Sequence, residues 1–207
     1  MKVLLLNGSC RANGNTYLAL TEIVKALEAE GIETEIFQIG AKPMRDCIGC
    51  GQCAGKGKCV FDDDAVNEFI EKAKSADGFI FGSPVYYAHA DGRVLSFLDR
   101  AFYAGKAAFR HKPAGVVAVA RRAGTTATLD TLSKYATISE MPLVSSSYWN
   151  MAFGRSAGEA ANDDEGLQTM RNLGKNMAWL LKCIDVGRQA GIYAPETDSS
   201  KKTNFIR

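Results

Sequence analysis

No charge of either sign dominates this chain of 207 residues: 25 Lys and Arg stand against 23 Asp and Glu, a formal net charge of +2. No basic block of five or more occurs, so the electrostatic footprint of a protein that binds nucleic acid or an anionic membrane is missing. Long hydrophobic runs are missing too. The apolar runs, such as Val3 to Leu6 and Val116 to Ala120, are strand-sized, whereas a membrane-spanning helix needs about 20 apolar residues. Four apolar residues follow Lys2 before Asn7, Gly8 and Ser9, fewer than the roughly 7 to 15 of a signal-peptide core. The expectation is a cytoplasmic protein. Internal repeats and low-complexity stretches are absent. There are two histidines, His89 and His111; neither has a carboxylate at a telling spacing, which favours solvated or structural roles.

What is present is an ordinary globular composition, 46% hydrophobic and 23% charged, far from the signature of disorder. The length favours one domain, expected over residues 1–186, followed by a polar tail over 187–207 that stays extended unless an oligomer ties it down. Lys2 to Asn7 reads as a strand buried on both faces, ending in the glycine-rich turn Gly8 to Asn15. From Thr16, the spacing of Leu18, Leu20, Ile23, Val24 and Leu27 predicts a helix that Gly31 closes. Glu33 to Ile39 follows as a second strand. Further strands are predicted at Gly78 to Ser83, Gly115 to Ala120 and Leu143 to Tyr148, with Pro84 to Ala90 a loop. Helices are predicted at Ala65 to Ser75, Arg93 to Tyr103, Thr125 to Ser139 and Glu165 to Val186, the last carrying Cys183 in the core. This alternation predicts an α/β fold, a doubly wound five-stranded parallel sheet whose ligand lies beyond the carboxyl ends of the strands where strand order reverses.

Three loops fall at that edge. The first, Gly8-Ser-Cys-Arg-Ala-Asn-Gly-Asn-Thr16, leads into a helix N-terminus, where free N–H groups and the helix dipole favour a phosphate. It is not a P-loop, because five residues separate Gly8 from Gly14 and Asn15 stands where Lys is needed. Nor is it the Gly-x-Gly-x-x-Gly dinucleotide fingerprint. Its hydroxyls and amides, with one guanidinium, suit a phosphate monoester such as that of FMN; the alternative is an ordinary capped turn. The second loop, Ser83-Pro-Val-Tyr-Tyr-Ala88, offers flat apolar surface to an aromatic ligand, unless Tyr86 and Tyr87 are core or interface residues. The third, Arg121-Arg-Ala-Gly-Thr125, brings cations near the same place, or simply solvates them.

Together these segments resemble the three cofactor loops of the flavodoxin-like NADPH-dependent FMN reductases, in order and at the right spacing from Lys2 to about Val186. The resemblance implies that Ser9, Arg11, Asn13, Asn15 and Thr16 hold the FMN phosphate. It also implies that Pro84, Val85, Tyr86 and Tyr87 border the isoalloxazine, with Arg122, Ala123 and Gly124 at its other edge. Cys10 departs from the pattern and reads as an inert, buried thiol, the alternative being a redox-sensitive thiol beside the phosphate.

Of six cysteines, four lie within thirteen residues as Cys47-x-x-Cys50-x-x-Cys53-x5-Cys59, interleaved with four glycines. Clustered thiols in a reducing compartment bind soft metals, and four ligands match a [4Fe-4S] cluster. Zinc, regulatory thiols or a plain glycine-rich turn stay open. With the FMN-type fold, this cysteine-rich insertion over residues 42–61, after the second strand, is similar to that of the iron-sulfur flavoproteins. The resemblance implies an FMN-dependent oxidoreductase passing electrons from NAD(P)H or ferredoxin to a small acceptor. From the charge balance and the short apolar runs, no nucleic-acid or membrane partner is expected. A homodimer or homotetramer is expected, because both sites lie on loops and a short path between them calls for a neighbouring subunit. A flavodoxin-like carrier without turnover and a redox-sensing protein are the competing readings, though carriers are usually strongly acidic and this chain is not.

Overall fold

A computed structural model describes residues 1–201 and 203. The chain runs β1 (Lys2–Asn7), α1 (Asn15–Ala29), β2 (Glu33–Gln38), α2 (Val66–Ser75), β3 (Gly78–Tyr86), β4 (His89–Ala90), α3 (Gly92–Phe109), β5 (Ala114–Ala120), α4 (Thr125–Ile138), β6 (Met151–Phe153) and α5 (Asp164–Gln189). Five strands form a parallel sheet in the order β2-β1-β3-β5-β6, with β4 antiparallel to the end of β3. Strand order reverses between β1 and β3, and their carboxyl ends open the crevice that a doubly wound sheet uses for ligands.

Period-two alternation divides each central strand between two cores. In β1, Leu4 and Leu6 join one cluster and Val3 and Leu5 the other. The first cluster takes Phe69 and Ile70 of α2, Phe97 and Phe102 of α3 and Leu132 of α4. The second takes Ile23 of α1 and Leu173 and Met177 of α5. Apolar faces on both sides of the sheet thus carry helices, which is why these strands read as continuous hydrophobic runs. Among the described residues no helix is long and apolar enough to cross a membrane.

Five expectations are corrected. The fifth parallel strand is Met151–Phe153, not Leu143 to Tyr148. Leu143 makes only an isolated bridge to Ala114 before the chain leaves the sheet. There α5 satisfies it: Ser146 Oγ donates to Thr169 O, and the Asn176 side chain donates to Ser145 O. Pro84 to Ala90 is not a loop, because β3 continues through Tyr86 and turns back into β4 around Tyr87 (φ 50°) and Ala88 (φ 59°). Helix α3 does not stop at Tyr103 but bends at Gly105 and runs to Phe109. Cys183 is exposed rather than core. Helix α5 also runs three residues past Val186, so the polar tail starts later than the expected 187. It is exposed from Ala190 to Lys201 and at Thr203, and the Thr197 hydroxyl donates to Glu140. The part of the expected tail at residues 202 and 204–207 lies outside the described residues.

Candidate functional site

The loop after β1 is braced from below. Asn7, buried at the end of β1, accepts a hydrogen bond from Ser9 N (3.2 Å) and donates to Ala12 O (3.3 Å) and to the Gln38 side chain, while Gln38 Nε2 in turn donates to Ser9 O. Ser9 Oγ accepts from Arg11 N at 3.1 Å. The loop delivers the chain into α1 with Gly14 as N-cap, without a capping side chain and without an acidic residue in the first turn. Helices α3 and α5, by contrast, are capped by Asp91 and Asp163. The N–H groups opening α1 therefore lack the usual side-chain acceptor, and the positive end of the helix faces the crevice uncompensated. Thr16, 2% exposed, brings a hydroxyl to the same point.

A cavity of about 210 Å³ lies there. Ser9, Arg11, Asn15 and Thr16 line it from the first loop, Pro84, Val85 and Tyr86 from the second, and Arg121 from the end of β5. Gly154 and Arg155, after β6, complete it. No acidic residue lines this cavity, whereas three arginines do. Such a set fits a phosphate monoester, and the uncapped helix start is the acceptor-seeking cradle it would fill.

Some of the expected residues sit elsewhere. Asn13, Arg122 and Ala123 are exposed and off the lining, and Tyr87 projects fully into solvent at the hairpin tip. Gly124 acts from behind: with φ +93°, it sits so close to the hairpin that a Cβ would lie 2.3 Å from Ala88 Cα. Only glycine lets the second and third loops meet in this way. Cys10 is half-buried rather than sealed in, its Sγ 3.8 Å from the Tyr86 hydroxyl. Burial first, and then this thiol, push the Tyr86 phenol above its ordinary value. Asn7, Gln38, Gly154 and Arg155 carry no signal in the sequence for this place, whereas Arg121, part of the third loop, lines the cavity where its neighbour Arg122 was expected.

The four cysteines Cys47, Cys50, Cys53 and Cys59 lie on one curled loop, all as free thiols, Cys50 exposed and the others half-buried. Gly49, Gly51, Gly55 and Gly57 all hold positive φ, between +63° and +69°, which gives the loop its repeated left-handed turns. Among the described residues no three Cys, His, Asp or Glu side chains converge as a single-ion site. Four thiols on one loop are the kind of donor set that an iron-sulfur cluster takes.

The closing end of that loop is fixed firmly. The Asn67 side chain accepts from Cys59 N (2.8 Å) and donates to Cys59 O and Phe61 O. Arg100, 1% exposed, donates through Nε to Cys59 Sγ (3.3 Å), through Nη1 to Asp64 and Arg45 O, and through Nη2 to Phe61 O (3.1 Å). One buried cation thus ties both flanks of the cysteine loop to α3. Burial works against its charge, but Asp64 and Cys59 outweigh this and raise its pKa.

Known proteins agree with this geometry. The family model described as NADPH-dependent FMN reductase matches residues 1–156. An iron-sulfur flavoprotein of Methanocaldococcus jannaschii is 38% identical over 193 residues, which is 89% of this chain and 99% of the relative. One of Methanosarcina thermophila is 27% identical over 91% of this chain and 99% of its own length. In fold, the WrbA-like flavodoxin of Agrobacterium tumefaciens superposes with a TM-score of 0.64 at 17% identity, covering 88% of this chain and 98% of that one. The family match over residues 1–156 and the relatives matched along nearly their whole length have one outcome: this chain belongs to the NADPH-dependent FMN reductase family, in its iron-sulfur flavoprotein branch.

Proposed function

We propose that the protein is an FMN-dependent oxidoreductase that takes electrons from NAD(P)H or ferredoxin and delivers them to a small acceptor, with a [4Fe-4S] cluster on Cys47, Cys50, Cys53 and Cys59. The observation that carries this reading is the uncapped start of α1 opening into a cavity lined by arginines and free of acidic residues. Bound FMN would supply the exchange of one or two electrons. The chain's own work is to seat the phosphate with Ser9, Arg11 and Thr16 and to border the ring with Pro84, Val85 and Tyr86. Arg121 places positive charge beside the ring, where negative charge grows on reduction. The four thiols would ligate the cluster, and Arg100 holds Cys59 in place for it. A cytoplasmic setting, in which these thiols stay reduced, and assembly as a homodimer or homotetramer belong to the same proposal.

The test is the visible spectrum of the anaerobically purified chain, followed by NADPH addition. We expect flavin and cluster absorption together, about four iron and four sulfide per chain from four-cysteine ligation, and bleaching of the flavin bands by NADPH. Colourless protein that takes up no FMN overturns the reading. Yellow, iron-free protein under the same conditions removes the cluster from it. FMN-loaded protein that ferredoxin reduces and NADPH does not would select ferredoxin as donor.

A further inference from the structure

The segment after β6 has no part in the phosphate loop of the sequence, yet it is fastened to it. Asn15 Nδ2 donates to Ser156 O at 2.9 Å, and Asn15 Oδ1 accepts from Gly158 N (2.9 Å) and Ala160 N (3.3 Å). The amide oxygen is thereby saturated by a loop more than 140 residues away in sequence. Gly154 permits the closeness, since a Cβ there would stand 2.6 Å from Ala160 N and 2.7 Å from Asn15 Nδ2. The loop's one carboxylate, Glu159, is turned back on its own backbone, accepting from Arg155 N (2.6 Å) and Ser156 N (2.9 Å). Those bonds hold the Glu159 carboxyl below its ordinary range. What the loop presents to the cavity is Arg155, whose guanidinium makes no salt bridge or side-chain hydrogen bond among the described residues and has Glu159 as a charged neighbour.

The charge balance gives this loop a purpose. A phosphate monoester carries about −1.5 to −2 charges at neutral pH. A helix start offers about +0.5 and Arg11 one more, so a full dianion is left short by about half a charge. We propose that Arg155 is the second guanidinium of the phosphate seat, and that Asn15 is a positioning residue that holds the Gly154 to Ala160 loop rather than a phosphate ligand. The proposal rests on the assignment of FMN to this cavity.

Riboflavin, which lacks the phosphate, separates the two claims. Apoprotein of the full chain is titrated with FMN and with riboflavin, following quenching of flavin fluorescence. Arg155→Ala should weaken FMN about tenfold or more while leaving riboflavin unchanged, and Arg155→Lys should recover part of the loss. Asn15→Ala should cost FMN a similar factor, and the double variant should be little worse than either single one, because both changes remove the same guanidinium. An unchanged ratio of FMN to riboflavin affinity in Arg155→Ala overturns the inference, even if Asn15→Ala fails to fold. Wild-type protein that binds FMN tightly and prefers it over riboflavin upholds the underlying assignment in that event. Wild-type protein that binds neither flavin overturns both.

Discussion

Arg100 shows how much one side chain can decide. It is the largest fully buried side chain among the described residues, and its charge is matched by Asp64, whose side chain is only 12% exposed. A buried ion pair is weak evidence for added stability, but removing one partner strands the other, at a cost of about 3–5 kcal/mol. Arg100→Met should therefore lower the unfolding free energy by about that amount, measured by urea denaturation of anaerobic protein, with Arg100→Lys falling between. Should Arg100→Met unfold like wild type, the pair would not be isolated from water in solution. None of this was legible beforehand. Arg100 lies on a helix that reads as amphipathic from Arg93 to Tyr103, and its partners Cys59 and Asp64 stand 41 and 36 positions away. A buried Arg and a solvated Arg look alike in a one-dimensional pattern. Asn15 was obscured in the same way: the motif marks it as a phosphate residue, whereas its amide oxygen is used by a distant loop.

Elements were far more legible than such pairings, because each central strand has both faces buried and each helix one. The failures came where the sheet runs out of such constraint. Met151–Phe153 has three residues, too few for a period to show, while the more apolar Leu143 and Val144 mark only the place where the chain first touches β5. At the opposite edge, β2 depends on charge as well as burial. Glu35 pairs with Lys2 on β1 and with Lys72 on α2, both at 2.8 Å. Lys2 first and Lys72 next hold its carboxyl below the ordinary value of 4.5. A carboxyl whose folded pKa is depressed stabilises the native state above its unfolded pKa, and that contribution fades as pH falls through the folded value. Glu35→Gln should therefore cost about 0.5–1 kcal/mol at pH 7, the upper range for a partly exposed pair. The gap from wild type should close as pH drops below 4.5. A gap that persists undiminished in acid, measured by urea melts at each pH, would assign the loss to packing instead.

At the scale of the whole molecule, an uncovered apolar groove lies away from the flavin crevice, between α3 and α4. A groove of about 440 Å³ is lined there by Phe102, Tyr103, Tyr135 and Ile138, with Lys106 and Lys134 beside them. Tyr103 and Ile138 are 74% and 73% exposed. Its one carboxylate, Asp99, accepts a hydrogen bond from the Tyr135 hydroxyl at 2.6 Å, and burial together with that bond keeps the phenol protonated far above neutral pH. The face is thus neutral and apolar at its centre and cationic beside it, and large contiguous patches of this kind mark interfaces in soluble proteins. A two-fold assembly places the same patch on both partners, which lets exposed rings and aliphatic side chains from each copy fill the other's groove. Under the proposed homodimer or homotetramer, a cation at the centre of this face should be expensive, whereas the crevice on the sheet edge should not notice it. Ile138→Lys is then expected to lower the mass measured by light scattering on a sizing column to a smaller species while leaving FMN affinity within about twofold, since the substitution is remote from the cavity and independent sites add. A mass unchanged by Ile138→Lys would move the subunit contact to another face, and a wild-type monomer would require that electrons pass between the two loops within a single chain.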